Sequence, residues 1–485
     1  MTFSLATEQG KTNTFYLVIA LFVVAASVAS AFEFYYLWGL PIIVTVIGVA
    51  LFKLDWLLLG IVFFTPLSQN LEKLEFGLGI YLPTEPLMFG AMLIFFGKVI
   101  YDWKYDMRIL KHPLSIAVLL NLVWIFICVF PSELPLVSFK FFVSRMWFVI
   151  PFYFMAIVLF KDRKNIDRFL WLYIIPLAGI IVYTVINHAI RGFEEKPAHW
   201  VMQPFYKDHT SYGALVAFYI PIIMCYLWIK KIRVTAKIQF FMILVLFIVG
   251  VIFSYTRAAW VSLLGALLVT LVIHWRVHIK YLLAAGAFAL FILFNLQTEI
   301  MQKLEKNRQD SSNDLSEHVE SISNVATDAS NVERLNRWNA ALDMFAERPI
   351  FGHGPGTYSF LYAPYQHSSL LTIISTNFGD GGNAHSEYFG PLAETGVLGL
   401  VTFLSLIFMF YYTAIPLYYK LEEQSMKLLN LSAILGITTY LIHGFLNNFL
   451  DTDKASVPFW GCFAIVVALD LYARKTTEQS LKAVD

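Results

Sequence analysis

The chain has 485 residues, of which 58% are hydrophobic and 14% charged, with a formal net charge of +1. Soluble domains carry about 45–50% apolar and about 25% charged residues, so no water-soluble core can hide this excess and a bilayer is the natural solvent. The near-neutral balance also excludes the basic face that binding to nucleic acid requires.

In chain order, apolar stretches of spanning length run over Phe15–Ala31, Tyr35–Phe52, Trp56–Leu67, Leu82–Ile100, Pro113–Phe130, Val137–Phe160 and Phe169–Ile186. Ser211–Trp228, Gln239–Tyr255, Ala258–Trp275, Tyr281–Leu296, Val397–Tyr418, Leu428–Phe445 and Val457–Leu471 follow. A crossing helix needs about 20 apolar residues, so the pattern predicts an all-α, polytopic membrane helix bundle of about 12–14 spans. The short Trp56–Leu67 stretch sets that range. Three regions are expected: helices with short loops over 1–296, a long loop region over 297–396, and the last helices with a tail over 397–485. Ala29-Ser30-Ala31 has the form of a signal-peptidase site, but the expectation is an uncleaved first helix. Cys128, Cys225 and Cys462 sit singly inside apolar runs and read as buried small hydrophobes.

Basic residues fix the expected sidedness. Lys104, Arg108 and Lys111 share one loop, Lys161, Arg163, Lys164 and Arg168 another, and Lys230, Lys231, Arg233 and Lys237 a third. Arg276 with Lys280, and the tail with Arg474, Lys475 and Lys482, complete the set. Threading the spans, with the short Trp56–Leu67 stretch counted as a crossing, puts all of these on one side, which is then cytoplasmic together with both termini. The opposite side receives Asn187–Thr210 and the long 297–396 region. There Leu315, Val319, Ile322, Ala326 and Ala329 recur at helical spacing, which predicts an amphipathic helix. Arg308–Asn313 reads as a solvated turn.

The residues that can carry chemistry gather on that opposite side. Arg257 begins a span and Arg145 lies about 12 Å down another, at about 1.5 Å per residue. A buried guanidinium needs compensation, either by an anionic ligand or by snorkelling to the interface. Arg334 and Trp338 share a helix face with Ala341, followed by Leu342 and Phe345, with Arg337 nearby. Gly352-His353-Gly354-Pro355-Gly356 reads either as a phosphate cradle or as a helix stop and tight turn; it lacks the strand before it that a nucleotide loop requires. His385 and Glu387 stand in polar company before a span, and histidine suits removal of a hydroxyl proton. Asp208-His209 forms a second acid–imidazole pair. Asp451-Thr452-Asp453 reads either as a metal-binding Asp-x-Asp or as a solvated helix end beside Lys454.

Arg257 in Ser254-x-Thr256-Arg257, Arg334-x-x-x-Trp338, Pro349 before the glycine turn, and His385-Ser386-Glu387-Tyr388 followed by Glu394-x-Gly396 occur in that order. From about Ser254 to Leu404 the chain thereby resembles the O-antigen ligase and O-antigen polymerase superfamily, bacterial transferases of lipid-linked glycans with a GT-C-like membrane fold. The resemblance implies an inverting, metal-independent glycosyltransferase at the periplasmic face of the inner membrane, with no cofactor. Its donor would be an undecaprenyl-pyrophosphate-linked glycan and its acceptor a hydroxyl of lipid A-core or of another glycan. His385 would be the base, and Arg257, Arg334 and Arg145 would hold the donor pyrophosphate. Glu387, Asp208, His209, Arg337 and Trp338 would support them. Family members often carry Asn after the histidine where this chain has Ser386, which leaves the local hydrogen bonding open. Ligation is the first expectation, because one external loop dominates. Polymerisation and protein O-glycosylation use the same donor, and a lipid-linked sugar transporter or flippase is the alternative of another class. Transporters place broken helices near mid-membrane, whereas the polar residues here collect at one face.

Overall fold

A computed structural model describes residues 8–33, 35–70, 79–102, 105–230, 232–278, 329–371, 375 and 382–473, with scattered positions between 280 and 295. Two compact units divide the chain, residues 1–57 and 58–485. The first holds the helices Glu8–Ala31 and Leu40–Phe52, with a 3-10 turn at Tyr35–Gly39 between them. Trp38 Nε1 donates to Ser30 Oγ at 2.8 Å across that turn.

In the described residues, nine helices are long and apolar enough to cross a membrane, and shorter apolar helices cover Phe15–Ala31, Leu37–Phe52, Leu54–Phe64 and Pro113–Val129. The all-α, polytopic architecture is therefore as expected. Half of Tyr281–Leu296 lies outside the described residues, as do all of Arg308–Asn313 and the amphipathic pattern up to Ala326. The stretch expected at Trp56–Leu67 is the 11-residue helix Leu54–Phe64. At 1.5 Å per residue it reaches about 16 Å, well short of a hydrocarbon core of about 30 Å.

The centre of the second unit is Gln424–His443, which packs against His209–Leu227, Arg257–His274 and Asp453–Ala468. It is buried all round from Leu428 to Leu441. Between lipid-immersed helices no hydrophobic force acts, so association rests on close packing and side-chain hydrogen bonds. Ser432, Ala433, Thr438 and Thr439 supply small and hydroxylated surfaces there. Outer helices such as Val234–Ile252 instead leave Val234, Ile238, Phe241, Met242 and Val245 exposed, an apolar face suited to lipid.

Asp453 and Lys454 depart from the expectation of a solvated helix end, for they are 0% and 4% exposed. Asp453 Oδ2 accepts from Ser68 Oγ and Thr84 Oγ1, both at 2.6 Å. Lys454 Nζ donates to the carbonyls of Thr65 at 3.1 Å and Ser68 at 2.8 Å, and to Ser68 Oγ at 2.6 Å. Hydrogen bonds to both charges are what make their burial tolerable.

The helix Phe389–Lys420 starts eight residues before the predicted span and kinks at Gly396 (φ 70°, ψ −170°). The glycine turn docks onto this kink. His353 N donates to the Ala393 carbonyl at 3.1 Å, Gly354 N to Glu394 O at 2.8 Å, and Val397 N to Pro349 O at 2.9 Å. Those amides are thus spent on backbone carbonyls, and the turn is a helix stop and clamp rather than a phosphate cradle. A Cβ on Gly396 would fall 2.1 Å from the Ile350 carbonyl oxygen. Gly396→Ala is therefore expected to cost about 2 kcal/mol or more, from the left-handed backbone and the clash together. Its check is the thermal midpoint in detergent, which should fall by several degrees; an unchanged midpoint would contradict the clamp.

Candidate active site

One end of the bundle brings together the start of His209–Leu227, the start of Arg257–His274 and the end of Gln424–His443. Asp208 caps the first of these, accepting from Ser211 N at 2.8 Å and Thr210 Oγ1 at 2.7 Å. Its carboxylate thereby serves the helix end and its dipole. Thr256 Oγ1 donates to the His209 carbonyl at 2.9 Å, joining the second helix to the first. Gly213 permits this approach, because a Cβ there would lie 2.7 Å from Thr256 Oγ1. Arg257 opens its helix beside this junction, so its charge adds to the positive end of the helix dipole. His209 stacks against His199, ring centroids 4.2 Å apart. Arg257 and Arg334 both act electrostatically on His209.

The Ala329–Glu347 helix packs on Phe389–Lys420 and delivers Arg334 and Trp338 on one face, as its spacing predicts. Trp338 sits between Phe389 and Phe445, at 5.2 Å from each ring centroid. One turn earlier, Arg334 Nε donates to the Leu446 carbonyl at 3.2 Å. Ala340, Ala341 and Met344 are the buried residues that follow. Leu342, expected on the packing face, is exposed, because the face continues at three- and four-residue steps through Met344. Arg337 pairs with Glu333 at 2.7 Å, lies 4.7 Å over the Tyr362 ring, and donates to the Asn383 carbonyl at 3.1 Å. It therefore braces the segment that carries the histidine.

His385 has a left-handed backbone (φ 47°), and Asn383 Oδ1 accepts its amide at 3.1 Å. Short polar side chains stabilise such turns locally. Ser386 Oγ accepts from the Tyr388 and Phe389 amides, at 3.2 and 3.4 Å, which answers how this position is used without Asn. Burial, together with the Arg334 and Arg337 charges, pushes the His385 imidazole down to about 3. The ring is then neutral near pH 7 and one nitrogen keeps its lone pair.

Glu387 holds the 444–452 segment beside this histidine. Its Oε1 accepts from Tyr440 Oη at 2.5 Å, Phe449 N at 2.7 Å and Leu450 N at 2.9 Å, while its own amide donates to Gly444 O at 2.8 Å. Burial, reinforced by Asp451, pushes the carboxyl up to about 7.

Arg145 acts on Glu387 through its charge. It pairs with Asp451 at 2.9 Å, donates to the Leu450 carbonyl at 3.2 Å and lies 5.3 Å over the Phe141 ring. With Glu387, Glu394, Asn121 and Trp460 it lines a cavity. The compensation that the sequence demanded for this guanidinium comes from Asp451. Asp451 and Asp453 accordingly turn to different partners. Asn447 and His443 also belong to the histidine cluster: the Asn447 side chain acts on the His385 imidazole, and Asn447 Nδ2 lies 3.5 Å from His443 Nδ1. The signal for them was a His and an Asn-Asn pair interrupting the end of an apolar run.

Fold and site together define a polytopic membrane protein whose polar groups converge at one end of an apolar bundle. Residues 242–404 match the family model described as O-antigen ligase, so over that region the chain is similar to this family. A Haemophilus influenzae protein described as uncharacterized is 23% identical over 333 residues, covering 66% of this chain and 78% of its own length. The family match includes Arg257, Arg334, Trp338, His385, Glu387 and Glu394, and leaves out Arg145, Asp208, His443 and Asn447.

Proposed function

We propose that the protein is an inverting glycosyltransferase that moves a glycan from undecaprenyl pyrophosphate to an acceptor hydroxyl at the periplasmic face of the inner membrane. The observation that carries this reading is the convergence of a neutral His385 with Arg334 and Arg257 at one end of the bundle. His385 takes the acceptor proton as the oxygen attacks the anomeric carbon. The anomeric C–O bond breaks, and its electron pair leaves with the lipid pyrophosphate. Guanidinium groups match phosphate oxygens bidentately, and stabilising charge that develops on a leaving group is commonly the largest catalytic contribution.

A histidine held near pKa 3 is a weak base, and the donor itself corrects this. Its negative charge offsets Arg334, which relieves the repulsion that adds to burial in keeping the imidazole from accepting a proton. Donor binding therefore prepares the base, and the acceptor follows. Arg145 and Glu387 hold the 444–452 segment behind the site; Asp208 and His209 are assigned to the sugar or acceptor side.

Purified protein supplied with an undecaprenyl-pyrophosphate glycan should transfer it to lipid A-core, the acceptor we place first. Transfer onto a second glycan instead would identify a polymerase; no transfer to any acceptor, with donor movement across vesicles, would identify a transporter. Since arginines hold the charge, EDTA is expected to leave the rate unchanged. A loss restored by magnesium or manganese would bring Asp451 and Asp453 into the chemistry.

A further inference from the structure

We propose that His443 is a second histidine in contact with the donor, offering its Nε2–H to a pyrophosphate oxygen, and that Asn447 is the positioning residue that sets the tautomers of both His443 and His385. The proposal rests on the donor reading above. His443 ends the central helix and is 1% exposed. Its Nδ1 lies 3.5 Å from Asn447 Nδ2, so with the amide in this orientation Nδ1 accepts and the ring proton sits on Nε2. Nε2 is fully buried and has no hydrogen-bond partner among the described residues.

A buried N–H without a partner is costly, and native structures seldom keep one without use. The surroundings say which partner suits it. Arg334, Asp208 and His209 are the charged and titratable groups acting on His443. Arg334 and the neighbouring Arg257 favour an anionic acceptor, and a phosphate oxygen accepts where a sugar hydroxyl would be ambiguous.

The Asn447 amide has two ends, and both are used. With Nδ2 turned to His443, Oδ1 is the end left for His385, on which the Asn447 side chain acts. An oxygen there takes the proton of one His385 nitrogen and leaves the lone pair of the other for the acceptor hydroxyl. This is the orienting role that a base requires from a third group. A single side chain thus makes one histidine a donor toward the lipid pyrophosphate and its neighbour an acceptor toward the incoming hydroxyl.

The test compares His443→Gln, which reaches to the position of Nε2 with an N–H, with His443→Asn, which stays polar but stops at the position of Nδ1. Binding of undecaprenyl pyrophosphate is titrated in detergent, beside undecaprenyl monophosphate and inorganic pyrophosphate, which separate lipid from phosphate recognition. Gln is expected to bind within about threefold of wild type and Asn roughly tenfold more weakly. Equal affinity in the two variants, at the wild-type level or below it, overturns the contact. Wild type that fails to bind undecaprenyl pyrophosphate refutes the donor reading first, and the contact with it.

For Asn447 the readout is the pH–rate profile of transfer. His385 is faced by Arg334 and Arg337 from the Ala329–Glu347 helix, by Asp208 from the start of its helix, and by Asn447. Asn447→Asp adds a carboxylate beside the ring, so the acidic limb should move up by about one unit or more. A limb that stays in place removes the positioning role, because a merely structural change would slow the rate without shifting it.

Discussion

His385→Ala is expected to reduce glycan transfer by roughly a hundredfold to ten-thousandfold, the usual contribution of a positioned general base. The effect should fall on the transfer rate, with donor affinity little changed. The backbone explains why this variant should also fold: Asn383 Oδ1 holds the residue 385 amide, and Ser386 Oγ holds the two amides that follow, all without the imidazole. The measurement is product formed per unit of protein at equal membrane abundance. Comparable turnover by wild type and variant would remove His385 from the chemistry and leave its unusual backbone without a use.

Arg334→Ala and Arg257→Ala are expected to act on the donor instead. Loss of a charge-assisted contact costs on the order of 1.5–3 kcal/mol, or roughly tenfold to a hundredfold in affinity. Lysine should restore part of this at either position, since it returns the charge without the planar fork. Arg334→Ala has a second expected consequence. With its charge gone, the repulsion on His385 lessens and the acidic limb of the rate should rise toward the ordinary histidine range. Rate against donor concentration separates these effects. Unchanged donor dependence in both variants would leave the two arginines as structural anchors.

Much of this was legible in the sequence because it rests on periodicity and on spacing within one element. Spans of spanning length announced themselves, and Arg334 with Trp338 kept the face that four-residue spacing gives them. What stayed hidden depends on which distant elements meet. Nothing near Arg145 in the chain discloses that Asp451, 306 positions on, is its partner. Asn447 and His443 looked like the ragged end of an apolar helix, and only the return of the His385 segment against that end gives them a task. The glycine turn was ambiguous for the same reason: its use as a clamp requires the kink at Gly396 to be in view. Asp453 and Lys454 were read as solvated because two adjacent charges at a helix start usually are. Their polar receptor, formed by Ser68 and Thr84, lies on another part of the fold.

That buried pair bears on how the protein is made. Ser68 precedes Asp453 by 385 positions, so the hydroxyls and carbonyls that receive the two charges leave the ribosome long before the helix that carries them. A lone charge at a helix centre adds about 2.5–3.5 kcal/mol to membrane entry, whereas adjacent opposite charges near a helix end enter with no net charge and less penalty. That helix can thus be inserted while still unmatched and then find its polar seat. The seat joins two parts of the chain that are made far apart in time.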